Sequence, residues 1–163
     1  MSGLRQRVLL APEDGSLGPL LRVSDDRLTP GAGYGRHEHR AVDVVAVVVA
    51  GSLQHRWGSG AQLLPGDVAV LRAGVGLEHD EVAGDDGARV LQCYLRADRS
   101  DVEPTHEVHP QSAGWIDLGR GDARVWVSRG AVDPPGGVPI PVEGSDLRVV
   151  WQVTAERPEW ARD

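Results

Sequence analysis

Residues 35–45, GRHEHRAVDVV, set two histidines one residue apart at the head of a valine-rich run. In an extended strand, side chains i and i+2 share a face. His37 and His39 are therefore expected to point the same way, and continuing the count carries Asp43 to that face. The run AVDVVAVVVAG (41–51) is too rich in β-branched residues for a preferred helix and reads as a long strand.

Further on, GLEHDEVAG (76–84) offers a second same-face pair, His79 and Glu81. Two such strands side by side would converge four donor groups on one point. Imidazoles plus a carboxylate suit a divalent first-row ion such as iron, nickel, copper, manganese or zinc. Positions are left open on the ion, as a catalytic metal needs and a purely structural one does not. A lone His-x-His can also be a solvated strand edge; the second pair at a fitting distance favours the metal.

Outward from these stretches the chain reads as strands and turns. GPLLRVSDDRL (18–28) is a strand followed by the turn TPGAGYG; SLQHRW, AQLL and VAVLRAG are strands separated by GSG and PGD. GDDG separates HDEVA from ARVLQCYLRAD. Short strands with this punctuation predict an antiparallel sandwich or barrel. No long amphipathic helix and no internal repeat is visible. RADRSDVEPTHEVHPQSAG (96–114) is polar and reads as a loop or arm leaving the barrel. ARVWVSRGA (123–131) and LRVVWQVTA (147–155) read as two further strands, joined by an irregular Pro/Gly-rich connection. The tail ERPEWARD is expected to be loosely held.

Composition narrows the function classes. A chain of 163 residues with 25% charged and 40% apolar residues predicts one soluble globular domain. No apolar run approaches the ~18 residues needed to span a bilayer, and the N-terminus does not read as a signal peptide. The single cysteine, Cys93, permits no internal disulfide. These features predict a cytoplasmic protein without a membrane partner. A net charge of −7 argues against nucleic acid. All 17 basic residues are arginine, which removes lysine Schiff-base chemistry.

TPGAGYGRHEHRAVDVVAVVVAGSLQHRWGSG followed by LLPGDVAVLRAGVGLEHDE resembles the N-terminal cupin half of the pirin family, which includes bacterial pirin-like quercetin 2,3-dioxygenases. The resemblance runs from Leu20 to Leu95 and weakly on to Gly130. It implies an all-β cupin, a double-stranded β-helix or jelly-roll barrel, here a single barrel with extra C-terminal strands. It implies a metal, iron foremost, with nickel, copper, manganese, cobalt or zinc compatible. Carried over by motif, the ligands are His37, His39, His79 and Glu81, and Glu81 is also the proton acceptor. The implied activity is dioxygenation of a flavonol, with ring opening. Two other readings stand beside it: a non-enzymatic metal protein acting through protein partners, and a metal-free cupin binding a small ligand.

Glu38 stands where the family usually has proline, Asp43 where it has glutamate, and Val75 and Asp80 also depart. Because the pirin pattern gives the ligand role to Glu81, Asp43 is placed behind the ligands, orienting a histidine. His55, in LQHRW, matches a common family histidine and is placed there too, with a surface position as its alternative. Pirins are two-cupin proteins, and this chain lacks room for a second barrel. Residues 1–100 are read as the cupin domain and 101–163 as an extension packing on the barrel or on a partner subunit. An uncovered apolar face predicts a homodimer through the tryptophan-bearing strands. His106 and His109 are read as solvated loop residues, Cys93 as a small buried apolar residue. Trp115, Trp126, Trp151 and Trp160 are read as packing residues, with substrate stacking secondary.

Overall fold

The valine run predicts a strand buried on both faces, and the computed structural model, which describes residues 3–12, 14–130 and 133–154, contains one. Strand β4 (Val42–Arg56) is buried without a break from Asp43 to Val49. It pairs along its whole length with β7 (Leu77–Arg96). Around this ribbon lie β1 (Leu4–Leu10), β2 (Leu20–Leu28), β3 (His37–His39), β5 (Ala61–Leu63), β6 (Val68–Arg72) and β8 (Thr105–His109). The sheet order is β1-β2-β7-β4-β6-β8, with β3 beside β7 and β5 beside β4. A second, four-stranded sheet runs β11 (Val138–Ile140), β12 (Leu147–Val153), β10 (Ala123–Arg129), β9 (Gly114–Ile116). Every strand pairing is antiparallel, and the described residues contain no helix. The all-β expectation is met.

Two pairs of strands read as separate in the sequence are each one bent strand. The β4–β7 register shifts between Val48 and Ala50 and again between Gly51 and Leu53. Gly51 has φ +72°, and a Cβ there would lie 2.1 Å from the carbonyl oxygen of Gly87. Only glycine lets the two backbones approach so closely at the bend. Beyond it the ribbon folds over itself, bringing Gln92 Nε2 within 3.0 Å of Glu81 Oε1 in the same strand.

Alternation along the ribbon separates two interiors. Val45, Val47, Leu91 and Cys93 face the second sheet and pack with Val125, Val127, Val149 and Trp151. Ala46, Val48 and Val90 face the barrel interior with Leu53, Leu63 and Ala83. The C-terminal strands thus cover the outer face of the barrel within one chain, and the homodimer expected from an uncovered face loses that ground. Burial pushes the Cys93 thiol up to about 12, which makes it an inert core residue.

The stretch read as a polar arm contains β8, paired with β6 from Val68↔His109 to Arg72↔Thr105. An edge strand with one face outward is polar in composition and loop-like to a composition-based reading. The connection read as irregular contains β11, another short edge strand. The tail 156–163, with Trp160, lies outside the described residues.

Candidate metal centre

Strand β3 is short and lies against the start of β7, in the register His37↔His79 and His39↔Leu77. This lays the two histidines of β3 beside His79. Ligating atoms of His37, His39 and His79 all lie within 4.8 Å of one another. Nε2 of His37 and Nε2 of His79 are 2.8 Å apart. Two donors at right angles, each ~2.1 Å from an ion, would be about 3 Å apart, so the spacing fits a shared ion. Nδ1 of His37 is 2.6 Å from the carbonyl oxygen of Gly35. Donation to that carbonyl keeps the proton on Nδ1 and bares Nε2, as ligation requires. Nδ1 of His79 is buried without a hydrogen-bond partner among the described residues.

The electrostatics favour neutral rings. Burial lowers His79 to about 4, and neighbouring His37, His39 and His55 add to the effect against the pull of Glu81. Burial, then His37, also lowers His39. A neutral, desolvated imidazole is a ready ligand, because no proton has to be displaced from it.

Glu81 stands behind this group, on the strand pair His55↔Glu81. Its Oε1 is 2.8 Å from His55 Nε2 and accepts from Gln92 Nε2 at 3.0 Å. Burial would raise this carboxyl, but the hydrogen bond and charge of His55, then Gln92 and His79, outweigh it and hold it at about 2. Glu81 is therefore an ionised acceptor. His55 continues outward: its Nδ1 is 2.8 Å from Nε2 of His106 on β8. The barrel interior also holds Asp26, which accepts from Tyr34 Oη at 2.6 Å and from Gln6 Nε2 at 3.2 Å. Burial raises Asp26, against those hydrogen bonds.

The structure thus clusters His37, His39 and His79, while Glu81 and His55 stand beside that cluster and outside the 4.8 Å group. It does not bring Asp43 there. The strand count fails because β3 ends at His39 and Ala41 turns the chain with φ +54°. Asp43 restarts on the other face, where it accepts from Arg120 Nη1 at 2.9 Å. His106, read as a solvated loop residue, is half-buried and reaches the site. Its signal was alternation: His106 and Val108 share a strand face, and Val108 packs in the barrel interior. Gln92 was also missed, although it is a lone polar residue on the interior face of an apolar strand. A cleft of about 700 Å³ runs along Trp115, Leu118, Arg120 and Arg124, and none of its lining residues is a site histidine.

No helix among the described residues is long and apolar enough to cross a membrane. A quercetin 2,3-dioxygenase of Escherichia coli K12 is 24% identical over 89 residues, 52% of this chain and 38% of that protein. Pirin-like protein 2 of Arabidopsis thaliana is 26% identical over 106 residues, 63% of this chain and 33% of that protein. The chain therefore spans only about a third of the length of these relatives. The crystal structure of the bacterial pirin YhhW of Escherichia coli with nickel(II) superposes with a TM-score of 0.70 at 15% identity, over 96% of this chain and 85% of that one. At that identity the likeness is one of fold, the cupin fold. The family model named Pirin matches residues 12–95, the span that carries β2 to β7 and all three clustered histidines. The chain belongs to the pirin family.

Proposed function

We propose that this chain carries a mononuclear metal centre and acts as a dioxygenase opening the ring of a flavonol. The observation that supports it most is the convergence of three imidazoles within 4.8 Å beside a buried, ionised glutamate. The residues fit a divalent first-row ion, with iron proposed, and His37, His39 and His79 would hold it, with Glu81 as fourth donor or neighbouring base. Such an ion, when bound, would acidify a coordinated hydroxyl and present it to dioxygen.

The chain's own residues supply the rest. Glu81, ionised at neutral pH, accepts the 3-hydroxyl proton of the flavonol. Gln92 donates a hydrogen bond to that carboxylate at 3.0 Å and His55 Nε2 lies 2.8 Å from it, so the carboxylate is held in place as the proton arrives. His39 adjoins an apolar cluster that includes Val44, Leu71, Trp57 and Tyr94, with the Tyr94 ring 6.0 Å away. A flat aromatic substrate suits such a wall. His37 and His39 are half-buried and leave the site open on that side.

The test is loss of flavonol absorbance with oxygen consumed and carbon monoxide released. Glu81→Gln should lower turnover more than metal content. Metal-loaded protein that consumes no oxygen with any flavonol would sink the reading. The second reading, a metal-dependent interaction protein, is favoured by the charged outer side of β3, where Arg36 pairs with Glu78 at 3.1 Å and Arg40 with Glu38 at 3.8 Å. Metal binding without oxygen uptake would select it.

A further inference from the structure

We propose that Arg22 and Tyr94 form a recognition wall for an anionic group, so that the aromatic substrate of the histidine centre carries a carboxylate or sulfonate on its flat rings. The inference deepens the proposed reaction by naming the charge of its substrate, and it rests on that reading. Strand alternation places both residues. Val23 and Cys93 pack toward the second sheet. Their neighbours Arg22 and Tyr94 therefore turn to the barrel side, directly opposite each other in the β2–β7 register. Tyr94 is also opposite Val44 of β4, and it packs with Val44, Leu71 and Leu77. Its ring centroid is 6.0 Å from that of His39, and the Arg22 guanidinium carbon lies 6.0 Å over the same ring. Guanidinium, phenol and histidine cluster thus follow one another along one wall.

The Arg22 guanidinium is uncommitted. Arg72, Arg89, Arg120 and Arg124 are partly buried as Arg22 is, and each donates to a side chain: Glu107, Asp25, Asp43 and Gln152 in turn. Arg22 makes no hydrogen bond and no ion pair among the described residues. Asp26, on the same face of β2, accepts from Tyr34 and Gln6 instead. The Tyr94 hydroxyl also has no hydrogen-bond partner among the described residues. Drawing a guanidinium partly out of water without a partner is unfavourable, and an incoming anion offsets that cost. The planar fork of Arg22 can take two oxygens of a carboxylate or sulfonate through parallel N–H donors, and the phenol adds an O–H donor. The apolar residues around Tyr94 accept the ring that carries the group. A neutral aromatic would leave Arg22 desolvated and unpaired, so the wall selects by charge as well as by shape.

The test compares benzoate with its neutral isostere benzamide, in ¹⁵N-labelled, metal-free protein, through the arginine Nε–Hε resonances. Benzoate should shift the Arg22 resonance and bind about 10-fold or more tightly than benzamide. Arg22→Gln should abolish that preference, and Arg22→Lys, which keeps the charge without the fork, should retain part of it. Tyr94→Phe should weaken benzoate about 3-fold and leave benzamide unchanged. An Arg22 resonance unmoved by saturating benzoate overturns the proposal, as does a benzoate preference that survives Arg22→Gln in folded protein. Should the glutamine variant fail to fold, the Arg22 shift in the parent and the Tyr94→Phe variant decide. Benzoate selection through Arg22 in a protein that consumes no oxygen with any flavonol supports the wall and defeats the dioxygenase reading. Flavonol-dependent oxygen uptake without benzoate selection defeats the wall alone.

Discussion

His79 is the hub of the histidine cluster, its ring centroid 4.5 Å from that of His37 and 4.9 Å from that of His39. Its burial makes the neutral ring the native form, which has two measurable consequences. With metal absent, folding should depend on pH. His79 and His106 are lowered to about 4, so between there and the ~6.5 of an unfolded histidine the unfolded chain binds more protons. Stability should therefore fall as pH drops through that window. Glu81, held at about 2, adds a further loss below its unfolded value as it becomes protonated. Urea unfolding of metal-free protein across this range checks the sign, and a midpoint rising on acidification would refute it. With metal present, elemental analysis should find close to one first-row ion per chain. The double variant His37→Ala/His79→Ala should lose it; full retention would place the site elsewhere. Affinity should also weaken on acidification, because protons compete for the ligand nitrogens.

At the scale of elements, the placement of Asp43 separates two roles that one sequence position could have had. On β4 it is tied to Arg120, in the segment leading into β10, and Arg120 also donates to Asp122 through Nε at 2.6 Å. The Arg120 side chain is 2% exposed and that of Asp43 8%, so the pair is a buried clasp between the first sheet and the approach to the second. Burial raises Asp43, opposed by the Arg120 guanidinium. Asp43→Ala would leave Arg120 with one partner in a desolvated setting and should cost roughly 3 kcal/mol in denaturant unfolding. Metal content should be unchanged. Loss of metal from a stably folded Asp43→Ala protein would restore the role expected from strand counting.

The whole molecule depends on the second sheet. Val45, Val47, Leu91 and Cys93 are fully buried because β10 and β12 cover them. The edge strand β8, also beyond residue 100, supplies Val108 to the barrel interior and His106 to the centre. A chain cut at residue 100 would expose this face and lose that edge. It should show no cooperative unfolding transition and should aggregate or bind hydrophobic dye. A soluble fragment 1–100 with a sharp transition and intact metal binding would show instead that the barrel folds alone.

What the sequence determined by itself is local. The valine run with its glycines dictates long strands and a bend, and the motifs from Leu20 to Leu95 carry the family. His37, His39 and His79 were found from spacing because strand periodicity holds within each short element. Tertiary structure decided whatever depends on a change of direction between elements. Asp43 lies four residues beyond the end of β3, and one positive φ at Ala41 turned it to the other face. His106 and Gln92 are far in sequence from what they touch, and only the fold-over of β7 and the pairing of β8 with β6 bring them near Glu81. Periodicity carries information along one strand; which strands face each other is set by burying both sides of the β4–β7 ribbon at once.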